Sequence, residues 1–393
     1  MRNDDIVEPR DAAGIASMLK WADDERLAVG IRGGGTKPAW GTRAARVDVT
    51  LSTRGLEEKI DHAAGDLVAT VPAGATLDAV NDVLRRNRQW LPLDPPMSDR
   101  ATIGGIVAAN DSGPRRHRYG TPRDLVIGIE MALVDGRMAK AGGRVVKNVA
   151  GYDLSRLLCG SFGSLAVVTS ATFKLVPVAR ASHTVVATVG DVRRLGELTL
   201  AISDLPLNPS AIELEAPPCQ LLVRFESTPA AAEEQAKTAA NLCVRHGARA
   251  MILDVEDEQR TWDEHGSRFW KTPTTIVKVS ILPTDLADVL QAIADLCAAS
   301  RVEHSVVGRA ALGVLLVALS SGDVGAEAQV IDGLRRRLAG RRGTVVIVSG
   351  SESLQARVDP WGEIGDAFEL MRALKAHFDP RGTLNPGRGP GGL

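Results

Sequence analysis

Ile31-Arg32-Gly33-Gly34-Gly35-Thr36 follows the short apolar run Leu27-Ala28-Val29 and leads into a loop holding Pro38, Trp40 and Gly41. Three consecutive glycines remove every Cβ from one turn, so the backbone can take positive φ and come within contact distance of a ligand. Successive N–H groups in such a turn form a nest for an anion. The same triplet also suits a tight surface turn. The rest of the chain decides between the two.

The bulk numbers narrow the field. At 393 residues the chain exceeds one ordinary core, and two or three domains are expected. Hydrophobic and charged contents of 44% and 24% are those of a globular protein. Against 47 Lys and Arg stand 48 Asp and Glu, a net charge of −1, which leaves no basic surplus for nucleic acid or an anionic membrane. The start Met1-Arg2-Asn3-Asp4-Asp5 lacks the apolar core of a signal peptide, and no apolar run reaches transmembrane length. Cys159, Cys219, Cys243 and Cys297 are scattered and form no CxxC, so no metal site built from them is expected. A reducing cytoplasm is the simplest compartment.

Periodicity divides the chain. A helix is expected over 9–26, with Ile15, Met18, Leu19 and Ala22 on one face, then strands at 27–31, 46–51 and 67–71. Thr76 reads as the N-cap of a helix carrying Leu77, Val80, Val83 and Leu84. Residues 125–134 and 137–141 read as a hairpin with a type I′ turn at Asp135-Gly136. This half, 1–180, mixes strands and helices without a βαβ rhythm and reads as α+β. In 181–350 the order strand, helix, two strands, helix, strand occurs twice, which is βαββαβ in duplicate, the ferredoxin-like order. A helical insertion near 258–270 separates the copies. The remainder, 351–393, reads as an amphipathic helix at 362–378 returning to the first half and a flexible tail at 389–393.

Four segments of the first half are rich in glycine and small residues: 32–36, Ala101-Thr102-Ile103-Gly104-Gly105, Asn110 to Gly113 with Arg118-Tyr119-Gly120, and Gly160 to Leu165. Each lets backbone donors approach a large ligand, and Thr36, Thr102, Ser112 and Ser164 add hydroxyls suited to a pyrophosphate or ribose. Neither GxxxxGK[ST] nor a GxGxxG strand-to-helix turn occurs, so a nucleotide would sit on a non-Rossmann scaffold.

In this order, and together with Val71-Pro72-Ala73-Gly74, the segments resemble the FAD domain of the vanillyl-alcohol-oxidase (PCMH-type) family. Val145-Val146-Lys147-Asn148-Val149-Ala150-Gly151-Tyr152-Asp153-Leu154 resembles a signature of its glycolate oxidase and D-lactate dehydrogenase members, and Phe378 to Gly387 resembles their tail. The resemblance spans nearly the whole chain and is nearest to the E-subunit group of multi-subunit glycolate oxidases. It implies a PCMH-type two-subdomain FAD-binding domain with a duplicated ferredoxin-like cap. The FAD pyrophosphate would be wrapped by Arg32, Gly33, Gly34, Gly35 and Thr36 and by Ala101, Thr102, Gly104 and Gly105. Ser112, Tyr119, Gly120, Gly163, Ser164 and Val168 would line the cofactor, with Asn385 beside the isoalloxazine. Tyr152 and Lys147 could face the flavin, and Asp153 could do so or cap the helix that follows it. Gly34→Val is expected to abolish FAD retention by blocking backbone approach.

Departures from the family pattern shape the functional expectation. Where some members attach FAD through a histidine, this chain has Thr36 and Lys37, so FAD is expected to be non-covalent. The hydroxy-acid dehydrogenases carry a histidine-rich strand that binds metal; Gly308 to Val317 has no histidine, and no metal site is expected. Oxidising a 2-hydroxy acid needs a cation for the carboxylate and a base for the hydroxyl proton. Lys278 and Arg268 are candidates for the cation and His265 for the base. The resemblance implies a FAD-binding accessory or electron-relaying subunit of a glycolate oxidase. Its partners would be a catalytic flavoprotein subunit and an iron–sulfur subunit, and these would bring it to the cytoplasmic face of the inner membrane. The alternatives are a self-sufficient FAD-dependent dehydrogenase of D-lactate or glycolate and an apo scaffold.

Overall fold

Val29–Arg32 is the edge of a three-stranded parallel sheet ordered Ile6–Val7, Val49–Ser52, Val29–Arg32, so the glycine loop leaves the C-terminal end of an edge strand. The computed structural model describes residues 6–44, 46–144, 151–271 and 274–393. Parallel neighbours need a crossover, and the helix Ala12–Asp24 lies between the first and second strands in sequence. Asp11 caps it by accepting the Gly14 N–H at 2.7 Å, and Ile15, Met18, Leu19 and Ala22 are buried as the spacing required. The tail extends this sheet: Val29 N–H donates to the Thr383 carbonyl at 2.7 Å, and Asn385 N–H donates to the Val29 carbonyl at 2.9 Å.

A second, antiparallel sheet has the order Asp61–Ala63, Val68–Pro72, Val167–Lys174, Val126–Ala132, Met138–Gly142. Thr76 caps the helix Leu77–Arg85 as expected. One core joins both sheets and their helices through Leu19, Val29, Leu51, Val71, Ile106 and Phe173. The hairpin turn differs from the expectation. Leu133 N–H donates to the Arg137 carbonyl at 2.9 Å and Gly136 N–H donates to Leu133 at 3.0 Å. Gly136 has φ +84°, while Asp135 stays outside the left-handed region. This is a three-residue loop closed by a left-handed glycine, which spares Asp135 the positive φ that a type I′ turn demands.

The following half is one eight-stranded antiparallel sheet. Its order is Arg249–Ile252, Ala181–Thr188, Gln220–Ser227, Ala211–Ala216, Glu303–Arg309, Val314–Ser320, Thr275–Ser280, Thr344–Ser349. Each set of four has the ferredoxin-like arrangement, and the copies join where Ala211–Ala216 pairs with Glu303–Arg309. The helices Val192–Ser203, Pro229–Arg245, Leu286–Ser300 and Val324–Leu338 bury their apolar sides on one face. The period-two alternation of strands turns Ile212 and Leu214 into that core and Glu213 and Glu215 to the opposite face.

Two C-terminal expectations change. The helix spans Phe368–Phe378 rather than 362–378, because Asp359 Oδ1 accepts the N–H groups of Trp361 (2.8 Å) and Gly362 (2.9 Å), holding that stretch in a turn. The tail is folded rather than loose: Gly389 N–H donates to the Leu393 carbonyl at 2.7 Å.

Candidate functional site

A cavity of about 360 Å³ opens where the glycine loop, the helix Ile103–Ala109, the 162–168 segment and the tail converge. That size is within the range of small-molecule sites. Its lining includes Arg32, Gly33, Gly34, Gly35, Thr36, Thr102, Gly104, Gly105, Gly163, Val168 and Asn385, brought together from segments up to 353 positions apart in sequence, with Lys37, Phe162 and Arg388 beside them. Five expected residues lie outside the lining and serve the frame. The Ala101 carbonyl accepts the Leu77 N–H, and the Ser112 carbonyl accepts an Arg309 N–H at 2.7 Å. Tyr119 meets Trp90 edge to face, and Gly120, at φ +82°, ends the Arg116–Tyr119 turn. Ser164 Oγ donates to the Ser161 carbonyl.

The glycines of the loop are needed for packing as much as for ligand approach. A Cβ on Gly34 would stand 1.7 Å from the Arg100 carbonyl oxygen, and one on Gly33 would stand 2.2 Å from Thr102 Oγ1. Only Gly35 of the three has positive φ, +65°. Gly34 N–H donates to Thr102 Oγ1 at 3.4 Å, so the Thr102 hydroxyl fastens the loop instead of capping its own helix. The amides of Gly33, Gly35, Thr36 and Lys37 have no acceptor among the described residues. Four donors within five residues of a cavity wall fit a diphosphate. Lys37 is not a free cation, since its Nζ lies 2.7 Å from buried Asp111.

Asn385 is a clip. Its Oδ1 accepts the Ile31 N–H at 2.9 Å and its Nδ2 donates to the Phe162 carbonyl at 2.7 Å, joining tail, edge strand and 162–168 segment. Phe162 in turn meets Trp40 and Trp361 edge to face, at 6.0 and 5.3 Å. Lys37, Phe162, Trp361 and Arg388 were missed by sequence reasoning. Phe162 sits inside the glycine-rich segment 160–165, Lys37 follows the glycine loop directly, and Arg388 is a charged residue three positions after Asn385, whereas Trp361 carried no signal.

The space between the cavity and the cap sheet holds Trp40, Phe162, Phe269 and Trp270 packed on Ile276, Val307, Leu316 and Val348. Lys278 stands over Trp40, with Nζ 6.0 Å from the ring centroid. Burial, and then the nearby charges of Arg116 and Arg309, pull its pKa down to about 8 against the opposing pull of Asp111. His265 cannot act as a base. Its Nε2 lies 2.9 Å from Glu213 and its Nδ1 2.8 Å from Glu215. Burial disfavours its charge, but the two carboxylates together outweigh burial and raise it to about 9, so near neutral pH it is an imidazolium. Arg268 pairs with Glu215 and is no free cation for a substrate.

In the signature stretch, Lys147 lies outside the described residues, and Tyr152, 91% exposed, does not line the cavity. Asp153 accepts the Arg156 N–H at 3.1 Å and caps Leu154–Leu158. No cluster of three metal-ligating side chains and no helix long and apolar enough to cross a membrane occurs among the described residues.

Two protein-family descriptions match the chain: a FAD binding domain over residues 4–142, and the C-terminal domain of FAD linked oxidases over residues 183–344 and 362–388. The chain belongs to the FAD-linked oxidases. FAD is its cofactor, and it is a FAD-dependent oxidoreductase. It is 29% identical to the D-lactate dehydrogenase of Archaeoglobus fulgidus over 98% of this chain and 90% of that protein. It is 41% identical to the glycolate oxidase subunit GlcE of Escherichia coli over 34% of this chain and 38% of that protein. The E-subunit likeness is therefore partial, where the sequence suggested a fuller one. Among solved structures, alkyldihydroxyacetonephosphate synthase superposes with a TM-score of 0.74 at 14% identity, covering 97% of this chain and 76% of that one. That likeness carries the fold alone.

Proposed function

We propose that this FAD-linked oxidase is an accessory, electron-relaying subunit of a 2-hydroxy-acid-oxidising complex of the glycolate oxidase kind. The observation that carries the reading is the state of His265. It is held by Glu213 and Glu215, so it cannot take the proton of a substrate hydroxyl. Bound FAD supplies two-electron acceptance and one-electron delivery. The amides of Gly33, Gly35, Thr36 and Lys37 hold its diphosphate, and Thr102 and Asn385 fix the walls. Thr36 and Lys37 stand where a covalent histidine would be, so attachment is non-covalent. The partners are a catalytic flavoprotein subunit and an iron–sulfur subunit, which bring the complex to the cytoplasmic membrane face.

The second reading is a self-sufficient dehydrogenase of a 2-hydroxy acid such as D-lactate or glycolate. Lys278, Arg116 and Arg309 favour it: cations that raise one another's cost invite a substrate carboxylate. The whole-length likeness to a D-lactate dehydrogenase supports it too. Anaerobic mixing of the purified chain with glycolate or D-lactate separates the two. Unchanged flavin absorbance, with bleaching once the copurifying subunits are restored, is expected. Rapid bleaching by the chain alone would overturn the accessory reading.

A further inference from the structure

Three basic residues stand in the wall of the cavity besides its amide donors. Arg32 is exposed and lies against Gly35, and Lys37 is neutralised by Asp111. Arg388 differs from both. Its guanidinium donates one hydrogen bond, from Nη2 to the Lys37 carbonyl at 3.0 Å, and its Nε is buried with no partner among the described residues. No carboxylate is paired with it among those residues, and burial is the cause that pulls its pKa down. A buried, unpartnered donor on a permanent cation is costly unless something anionic reaches it.

The backbone around Arg388 is fixed, so the placement is built in. Its carbonyl accepts the Trp361 indole N–H at 3.2 Å, its own N–H donates to the Asn385 carbonyl at 3.2 Å, and Asn385 is clipped to Ile31 and Phe162. The Asp379 carboxylate accepts the N–H groups of Thr383 and Leu384 and pairs with Lys375, holding the approach to this turn.

We infer that Arg388 is a cofactor-binding residue, delivered by the C-terminal tail, that supplies the counter-charge to an oxyanion of FAD. A planar guanidinium with Nε free suits a delocalised oxyanion. FAD offers two: the diphosphate, charged in every state, and the pyrimidine edge of the ring, which gains negative charge on reduction.

The test compares FAD-loaded and apo forms of the full chain as wild type, Arg388→Gln and Arg388→Lys. FAD dissociation constants are measured by fluorescence and midpoint potentials by spectroelectrochemistry, and apo-protein melting checks the fold. Loss of one charge-assisted hydrogen bond corresponds to about tenfold to hundredfold in affinity. If the diphosphate is the partner, Arg388→Gln weakens oxidised FAD by that factor and Arg388→Lys restores much of it. If the reduced ring is the partner, oxidised FAD binds unchanged and the potential of Arg388→Gln becomes more negative, with Arg388→Lys close to wild type. The inference is overturned if Arg388→Gln matches wild type in both measurements. It is equally overturned if Arg388→Lys is as impaired as Arg388→Gln, or if the Arg388→Gln apo-protein melts early enough to account for the loss.

Discussion

Gly34→Ala separates two accounts of the glycine loop. On the sequence argument a side chain at this position obstructs the ligand, so the apo-protein should be indifferent to it. In the structure the new Cβ meets backbone instead: it would stand 1.7 Å from the Arg100 carbonyl oxygen and 2.8 Å from the carbonyl carbon. Ordinary contact needs about 3.4 Å or more, so the loop or the Met97–Thr102 turn must move by well over an ångström. Arg100 cannot yield easily, because its own N–H and that of Ala101 both donate to the Met97 carbonyl, at 3.0 and 2.7 Å. Overpacking of this kind costs about 1–3 kcal/mol, and a backbone-on-backbone clash belongs near the upper end. About 3 kcal/mol corresponds to a melting shift of roughly 6–12 °C for a domain of this size. The assay is differential scanning calorimetry of the FAD-free protein. Gly105→Ala is the control, since its added Cβ meets only the Thr102 hydroxyl, at 3.2 Å. An apo Gly34→Ala protein that melts with wild type, yet no longer binds FAD, would refute the packing argument and restore ligand approach as the reason for the glycine.

Other outcomes follow from the same geometry. His265→Gln removes the cation that Glu213 and Glu215 share, leaving Glu213 only Arg309 and Glu215 only Arg268. Because the folded-state pKa is raised from 6.5 to about 9, the stabilisation of roughly 3 kcal/mol is fully present below pH 6.5 and is lost as pH rises through 9. Urea titrations across that window should show wild type losing stability and His265→Gln nearly flat, and equal slopes would contradict the assignment. Asn385→Ala removes the bonds to Ile31 and Phe162 and places alanine at φ +42°, for a combined cost of about 2–4 kcal/mol. Faster FAD release with an intact cap is expected, and an unchanged release rate would show that the clip is dispensable. Under the dehydrogenase reading, oxalate should perturb the flavin spectrum with an affinity that falls as pH rises through about 8, where Lys278 loses its proton. Lys278→Met should bind oxalate weakly and without pH dependence at unaltered FAD content; wild-type affinity in that variant would remove Lys278 from the site.

Order along the chain was legible because it is written locally. The capping residue Thr76, the cap alternative at Asp153 and the apolar face of Ile15, Met18, Leu19 and Ala22 each depend on a few neighbouring positions, although the cap at Asp11 was not read and that helix was begun at residue 9. The glycine-rich segments were legible for a different reason: a missing Cβ is visible in sequence, although what it would strike is not. Gly34 was recognised as necessary, but the Arg100 carbonyl that makes it so is 66 positions away. Tyr119 and Ser112 lie outside the cavity lining, because a polar group beside a glycine suits framework and ligand equally, and their partners Trp90 and Arg309 are invisible in the sequence. His265 shows the limit most clearly. Its availability as a base depends on two glutamates 50 and 52 positions earlier, on a strand whose outward face is visible but whose neighbour is not.

Those glutamates also explain why the cap and the FAD-binding half act together. Glu213 and Glu215 hold His265, at the end of the helix Val255–Ser267, and so position the Phe269 and Trp270 that follow it in the aromatic wall. Glu213 also stands 3.8 Å from Arg309, whose guanidinium donates to the Ser112 and Gly113 carbonyls. The residue before Ser112 is Asp111, the partner of Lys37 in the glycine loop. A continuous run of charges and carbonyls therefore leads from a cap helix to the glycine loop of the cavity wall. Uncoupling it at His265 should loosen FAD as well as the cap, whereas cutting the surface pair Lys20–Asp24, which is exposed and lies outside this run, should change neither.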